Sequence, residues 1–384
     1  MRVTAWYYAA NAGPEAEAYV REFAEAMSRA GVPLSEGPSD VKVALLATGG
    51  TEAAALRDAR GARYVLVVYA DGMNSQPAAA ELSAALDDLG VPHDSAPLAS
   101  AEAYARQVAR AAALASERPR VVRFGGPAPW LVHSSAAEGA AADVEERPLE
   151  ELVEAAGSAE PDASLEARLA ARLEGVAREH LSRALRVYGA LRRASGGRPV
   201  TVNCFRLLEL YGVTPCLALS LLNSEGVAAG CEGDVPSLVT MYWLSRLSSR
   251  PAWMGNVMRG PGGTLAVVHC TFPLAEARSF RLVTHFETGR PLAVEAEVAE
   301  GAPATIAKYD PARGVLRAIR GAVAAGSRFT PLACRTQVAF RVSGRALELT
   351  FGRPLGAHYA VVLDDVIPGL RALAALRNLS FEEA

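Results

Sequence analysis

The sequence predicts an α/β protein with a β-rich C-terminal third, on three observations. In the first third, short β-branched runs alternate with alanine-rich stretches of helical periodicity, which is typical of a parallel sheet with crossover helices. The middle of the chain repeats this alternation. From Gly263 onward, apolar residues recur with a period of two between closely spaced turns, which favours an antiparallel barrel or sandwich. We therefore predict two Rossmann-like α/β domains with parallel sheets, followed by an antiparallel barrel-like domain.

The first predicted domain, residues 1–125, contains two strand–helix pairs and a third strand. Its helices, 14–30 and 77–89, end at glycines, and its strands are 41–47, 63–69 and 119–124. The turn Thr48-Gly49-Gly50-Thr51 has the position of a phosphate cradle after the first strand. It lacks the G-x-G-x-x-G pattern and the P-loop lysine, so a tight turn is the favoured interpretation.

The second predicted domain, residues 126–258, begins at the glycine- and proline-rich loop 125–130. It has an acidic helix from residue 136, a connector at 157–162 and a long helix at 165–194. Beyond these, strands are predicted at 199–203 and 227–231 and around Trp253, with helices at 215–223 and 236–247.

The third predicted domain, residues 259–384, is a barrel-like domain that ends in a helix. Its runs of period two are 264–270, 280–286, 293–298, 305–309, 315–319, 336–342 and 346–351. A last strand at 359–363 precedes the terminal helix at 367–376.

Composition restricts the class of protein. Lys and Arg number 39 against 42 Asp and Glu, so the chain lacks the basic excess that nucleic-acid binding requires. No apolar run reaches the roughly 18 residues of a membrane span, and the first apolar stretch is too short for a signal peptide. We expect a cytoplasmic protein that binds neither nucleic acid nor a membrane. The five cysteines include no Cys-x-x-Cys pair and are expected to be free thiols.

The candidate site residues lie at strand ends, where open α/β sheets bind ligands. Glu232 and Asp234 follow the strand 227–231 in the run CEGDVP. Asp234 is either a helix cap or a functional group, while Glu232 is a candidate metal ligand or general base. His269 ends one predicted strand and His358 precedes another. Each is either a hydrogen-bonded structural residue or a metal ligand. Carboxylate and imidazole ligands suit Mn²⁺, Mg²⁺ or Co²⁺.

Several segments together resemble a known enzyme superfamily. They are AGCEGDVPSLVTMYWL, PAWMGNV, VVHCTFPL, THFETG, ACRTQV and GAHYAVVLDDVIPGLRALAALRNL, with NSQPAAAE and GGPAPWLVHS nearer the start. They resemble the L-fucose and L-arabinose isomerase superfamily, and more closely its archaeal L-fucose isomerase-like proteins. The resemblance implies conversion of an aldose, a pentose or deoxyhexose, to a ketose through an enediol. It also implies a divalent metal, usually Mn²⁺, and a homotrimer or homohexamer whose site a neighbouring subunit completes.

The resemblance also assigns roles to single residues. Glu232 would be the metal-binding and proton-transferring glutamate, and His358 would be the ligand histidine. The family's aspartate, a ligand and proton-transfer group, falls on Asn256. An amide carries no charge and cannot act as a general base, so Asn256 would weaken both metal binding and proton transfer. We expect substrate contacts from three further residues, His269, Arg335 and Trp130, and His269 is a candidate to replace part of the lost coordination.

Three functions remain open on the sequence. The first is a metal-dependent aldose–ketose isomerase with Glu232 as ligand and base. The second is a sugar-binding or regulatory homologue that does not isomerise, which Asn256 favours. The third is another metal-assisted reaction on a polyol, sugar acid or sugar phosphate.

Overall fold

The computed structural model describes residues 1–10 and 13–384. The strands are β1 (Val3–Tyr8), β2 (Val41–Leu46), β3 (Tyr64–Tyr69), β4 (His93–Pro97), β5 (Arg120–Phe124), β6 (Asp143–Arg147), β7 (Val200–Val202), β8 (Ala229–Cys231), β9 (Trp253–Arg259), β10 (Leu265–His269), β11 (Ser279–Thr284), β12 (Pro291–Glu297), β13 (Pro303–Asp310), β14 (Val315–Ala325), β15 (Thr336–Arg341), β16 (His358–Val362) and β17 (Ser380–Glu383). The helices are α1 (Pro14–Ala30), α2 (Glu52–Ala59), α3 (Ser75–Asp88), α4 (Ala101–Ala115), α5 (Glu138–Ala141), α6 (Leu149–Gly157), α7 (Ala163–Ala170), α8 (Arg178–Ser195), α9 (Cys204–Tyr211), α10 (Cys216–Ser224), α11 (Val235–Ser248), α12 (Gly344–Gly352) and α13 (Ile367–Leu376). Among the described residues, none of these helices is long and apolar enough to cross a membrane.

The chain forms two compact units. Unit 1 comprises Met1–Glu117 and Val366–Phe381, and unit 2 comprises Arg118–Asp365 and Glu382–Ala384. In unit 1 the strands are parallel and lie in the order β1-β2-β3-β4, which confirms the predicted parallel sheet. Strand β2 is buried along its whole length, as is typical of a central strand covered on both faces.

Unit 2 begins with a second parallel sheet, whose strand order is β6-β5-β7-β8. The sequence DVEER of β6 is too polar to be recognised as a strand, and this strand was missed. It lies at the sheet edge, where its acidic side chains pair with arginines: Asp143 with Arg118, and Glu145 with Arg198 at 2.5 Å. An edge strand faces solvent on one side, so charge is tolerated there.

The rest of unit 2 contains a closed antiparallel barrel of six strands. Its order is β13-β16-β9-β10-β15-β14, and β13 also pairs with β14, which closes the barrel. This closure confirms the predicted barrel-like domain. The hairpin β11-β12 forms a separate two-stranded sheet.

The predicted strand at 346–351 is wrong, because this segment is the helix α12. Ser343 caps the helix by accepting a hydrogen bond from the Ala346 backbone N–H at 3.1 Å. The buried residues Ala346, Leu349 and Thr350 have the spacing of one helix face. Over so short a length, the run ALELTF fits both the two-residue period of a strand and the 3.6-residue period of a helix. The Ser343 cap decides in favour of the helix.

The predicted helix at 165–194 is likewise wrong in its extent, because the chain forms two helices there, α7 and α8. Between them, Leu173 forms an isolated bridge with Leu282 of β11, and Gly175 has a left-handed φ of 67°. The interruption thus depends on a partner more than 100 residues away, which helical periodicity does not reveal.

The two units differ from the predicted division at 125 and 258. Strand β5, predicted in the first segment, pairs with β6 and β7 of unit 2, and β9, predicted in the second, belongs to the barrel. The terminal helix α13, predicted with the barrel, belongs to unit 1. There the Gln107 side chain of α4 accepts a hydrogen bond from the Gly369 backbone N–H at 3.1 Å.

Candidate metal centre

Glu232 lies in a sharp turn between β8 and α11. Glu232 and Gly233 both adopt left-handed φ values, 62° and 71°. Glycine is required at 233, because a Cβ there would lie 2.3 Å from the Gly126 carbonyl oxygen. The Glu232 carbonyl accepts a hydrogen bond from the Ala128 backbone N–H at 2.8 Å, so the loop after β5 holds this turn.

Three buried side chains from different elements meet at this turn. The Glu232 Oε1 atom lies 3.7 Å from His358 Nε2, on β16, and 4.0 Å from His269 Nε2, at the end of β10. Ligand atoms of all three lie within 4.8 Å of one another. An ion with bonds of about 2.1 Å separates its ligand atoms by roughly 3–4 Å, so this group can hold one metal ion after small adjustments. Glu232 and His358, to which the resemblance assigns ligand roles, thus lie close enough to share one ion.

Both histidines direct Nε2 toward Glu232 and use Nδ1 elsewhere. His269 Nδ1 lies 3.0 Å from the Thr271 hydroxyl, and His358 Nδ1 lies 3.0 Å from Asp234 Oδ2. Burial, reinforced by the neighbouring His358, lowers the pKa of His269 to about 4. His269 is therefore neutral at pH 7, which is the form that binds metals.

Asp234 connects the turn to helix α11 and to the barrel. It caps the helix by accepting a hydrogen bond from the Ser237 backbone N–H at 2.9 Å, which confirms the capping interpretation. Lys308 Nζ of β13 lies 3.9 Å from Asp234 Oδ2. Burial alone would raise the pKa of the Asp234 carboxyl, but the charge of Lys308 and the hydrogen bond with His358 hold it well below its usual range.

Asn256 lies next to this group in the barrel wall. The register of β9 places it directly opposite His358 of β16 on one side and Val268 of β10 on the other. Residues directly opposite each other on antiparallel strands project from the same face, so Asn256 shares a face with His358. Its assignment as ligand and proton-transfer residue remains a prediction.

Trp130 covers one side of Glu232. Its indole Nε1 donates a hydrogen bond to Glu232 Oε2, and about half of its surface is exposed. The ring packs edge-on against Phe205, with centroids 4.9 Å apart, and Phe205 packs in the same way against His285 at 5.5 Å. An aromatic wall therefore leads from the surface to the carboxylate. Contact of Trp130 with a substrate remains a prediction.

Arg335 forms two hydrogen bonds with Thr284 of β11. Its Nε donates a hydrogen bond to the Thr284 carbonyl at 2.7 Å, and Nη2 donates to the Thr284 hydroxyl at 3.1 Å. Through these bonds Arg335 holds the end of β11. Its predicted contact with substrate remains a prediction.

Two residues near the centre, His285 and Glu287, were missed, although the segment THFETG that contains them was noted. Burial lowers the pKa of His285, but the hydrogen bond and electrostatic interaction with Cys270, together with the charge of Glu287, outweigh burial and raise it overall. Partial burial raises the pKa of Glu287, and the charge of Glu232 adds to the rise. Cys270 and the other four cysteines are free, as predicted.

No protein-family model matches the sequence, and no curated protein shows significant similarity to it.

Proposed function

We propose that this protein is a divalent-metal-dependent aldose–ketose isomerase that acts on a pentose or deoxyhexose through an enediol. The observation that carries the proposal is the buried convergence of Glu232, His269 and His358. The proposal includes membership of the L-fucose isomerase-like group, Rossmann-like parallel domains, a cytoplasmic location and a homotrimer or homohexamer.

The donor set fits Mn²⁺ or a similar ion. One carboxylate and two imidazoles, with no thiolate among them, suit Mn²⁺, Co²⁺ or Mg²⁺ better than a structural zinc site. When bound, such an ion polarises the substrate carbonyl and hydroxyl oxygens and so acidifies the proton on the adjacent carbon. The low pKa of His269 keeps its Nε2 available as a ligand at neutral pH.

Glu232 carries the proton in this proposal. Its Oε1 faces the histidines, and its Oε2 accepts the hydrogen bond of Trp130, which fixes the plane of the carboxylate. Because the Asn256 amide cannot accept a proton, Glu232 alone would move the proton between neighbouring carbons on one face of the substrate. Asn256 would instead orient a substrate hydroxyl through hydrogen bonds.

Trp130 and Phe205 would receive the sugar. The Trp130 ring lies beside the carboxylate and packs against Phe205, and the exposed half of Trp130 leaves an approach from solvent. Sugar rings have an apolar C–H face that packs well on an aromatic ring, while their hydroxyls need polar partners. We assign one such partner to Arg335, while His269 serves the ion, because its Nε2 faces Glu232 and its Nδ1 faces Thr271.

Two measurements test the proposal. The purified protein should contain or take up about one Mn²⁺ or Co²⁺ per chain, and a panel of pentoses and deoxyhexoses should include at least one that it converts to its ketose. Metal uptake without any ketose from the panel would overturn the isomerase and favour another metal-assisted reaction. Absence of uptake would overturn the metal centre itself.

One observation favours a second function, a sugar-binding homologue that does not isomerise. Asn256 stands opposite His358 where the resemblance implies an aspartate, so the centre has one negative charge fewer. Asn256→Asp should then tighten Mn²⁺ binding by at least tenfold, about 1.4 kcal/mol, because a carboxylate adds charge to the ion's first shell. Titration calorimetry measures the affinity, and a ketose assay on both proteins shows whether the substitution creates or raises isomerisation. Equal affinities would mean that Asn256 does not face the ion.

A further inference from the structure

His358 has a buried carboxylate on the side of its ring that faces away from Glu232. Asp234 Oδ2 lies 3.0 Å from Nδ1, and the two residues are 1% and 2% exposed. The opposite nitrogen, Nε2, faces Glu232 Oε1 at 3.7 Å. Asp234 therefore stands outside the group of three ligands and behind one of them.

Asp234 is immobilised by more contacts than a helix cap needs. Oδ1 accepts the capping hydrogen bond from the Ser237 N–H, and Oδ2 accepts a second one from the Ser237 hydroxyl at 2.8 Å. Lys308 Nζ donates to that same hydroxyl at 3.1 Å. The oxygen that reaches His358 is thus the one tied, through Ser237, to a buried lysine of the barrel.

We infer that Asp234 is a positioning residue that fixes His358 in the tautomer protonated on Nδ1. This tautomer leaves the Nε2 lone pair for the ion, and Lys308 holds the Asp234 carboxylate in place. An ionised carboxylate can only accept hydrogen bonds, so Nδ1 must be the donor. In a neutral imidazole the other nitrogen is then unprotonated. Carboxylates behind metal-binding histidines also raise the basicity of the ligand.

His269 provides a contrast within the same site. Its Nδ1 partner is the Thr271 hydroxyl, which can donate or accept, so this contact does not select a tautomer. Asp234 thus controls one of the two histidines only. The inference rests on the proposed metal centre for its purpose, but the tautomer exists without a metal.

The first experiment is nitrogen NMR of metal-free protein labelled with ¹⁵N-histidine at pH 8. The His358 signals are assigned by their loss in His358→Asn. We expect a protonated Nδ1 and an unprotonated Nε2. A His358 protonated on Nε2, or one that exchanges between tautomers, would overturn the inference whatever the metal does.

The second experiment compares Asp234→Asn with the wild type. The amide oxygen can still cap α11, but its NH₂ group can donate to Nδ1 and thereby favour the wrong tautomer. We expect the His358 signals to move toward protonation on Nε2 and Co²⁺ affinity to fall about 10- to 100-fold. Unchanged tautomer and unchanged affinity would contradict the inference.

Two further variants separate positioning from folding. Asp162→Asn is the matched control, because Asp162 caps α7 through the Ser164 and Leu165 N–H groups, and it should leave Co²⁺ affinity unchanged. Lys308→Met keeps the aspartate at 234 but removes the side chain that holds its carboxylate, and it should lower Co²⁺ affinity by about tenfold. A wild type with the expected tautomer but no Co²⁺ binding would overturn the proposed metal centre while supporting the role of Asp234 toward His358.

Discussion

Two strand-to-helix turns, one in each unit, follow the same local pattern and differ in chemistry. In unit 1 the turn 48–51 joins β2 to α2, with Gly50 at a φ of 80°. In unit 2 the turn 232–234 joins β8 to α11, with Gly233 at 71°. Each turn follows a parallel strand and has an acidic residue nearby, Glu52 in the first and Glu232 in the second.

The difference lies in what surrounds each carboxylate. Glu52 Oε1 accepts a hydrogen bond from the Gly50 backbone N–H of its own turn at 3.2 Å. Glu232 is buried and faces His269 and His358, which come from two strands of the barrel. A strand-to-helix turn therefore becomes a candidate metal centre only where a second sheet supplies ligands, and the comparison can be tested at each turn.

The largest difference between the two turns should be in the stability lost when the left-handed glycine of each is replaced. Gly233→Ala would place a Cβ 2.3 Å from the Gly126 oxygen, whereas in Gly50→Ala the nearest atom would be the Ala10 Cβ at 3.9 Å. We expect losses in the free energy of unfolding of at least about 3 kcal/mol for Gly233→Ala and about 1 kcal/mol for Gly50→Ala. Urea denaturation measures both. Equal losses would show that the two turns are equally constrained.

The next difference concerns metal binding. Glu232→Gln should weaken Mn²⁺ binding at least about 100-fold, roughly 2.7 kcal/mol, because it removes the only carboxylate of the ligand group. Glu52→Gln, the matched change in unit 1, should leave the affinity unchanged. Calorimetric titration with Mn²⁺ measures the affinity of each variant, and the midpoint of unfolding shows whether the variant is folded. A Glu232→Gln protein that binds as tightly as the wild type would remove Glu232 from the centre.

A smaller effect should appear in the acid stability of the metal-free protein. The pKa of His269 is about 4 when folded and about 6.5 when unfolded, so between these values the unfolded chain binds more protons. Stability should therefore fall as the pH drops from about 6.5 to 4, by an amount on the order of 2 kcal/mol. His269→Gln should reduce this slope, while His93→Gln in unit 1 should retain it. Identical slopes in all three proteins would place His269 in a solvated environment.

The smallest effect tests backbone strain at the second turn. Unit 1 has glycine at its left-handed position, while Glu232 adopts a φ of 62° with a side chain. Glu232→Gly should raise the free energy of unfolding of the metal-free protein by about 1 kcal/mol and abolish metal binding. Thermal and urea unfolding measure the gain. A loss of stability instead would mean that the contacts of the carboxylate outweigh the strain.

The sequence predicted the parts of the fold that have strong local signals. Helix α1 was predicted with its observed bounds, Pro14–Ala30, since proline begins it and Gly31 ends it. The strand that precedes Glu232 and the strand that ends at His269 were also predicted. Strand β6 and helix α12 were not, because an acidic edge strand lacks the apolar alternation and the run ALELTF suits both periods.

In the candidate site the sequence predicted members rather than arrangement. Glu232 and His358 were singled out as ligands, and His269 was expected mainly to contact substrate. The structure adds His269 to the ligand group and shows Asp234 both as a cap and as the partner of His358. The sequence contains no local sign of a role for His285 and Glu287, beyond their place in the segment THFETG at the end of β11.

By itself, the sequence determined the alternation of strands and helices, the antiparallel character of the last third and the residue types at strand ends. These properties depend on periodicity and on caps within a few neighbouring residues. Only the tertiary structure decided that Glu232, His269 and His358 meet and that Asp234 lies behind His358, 124 residues away. The reason is that barrel closure and strand register bring distant segments together, and register is set by pairing along whole strands, which no short segment specifies.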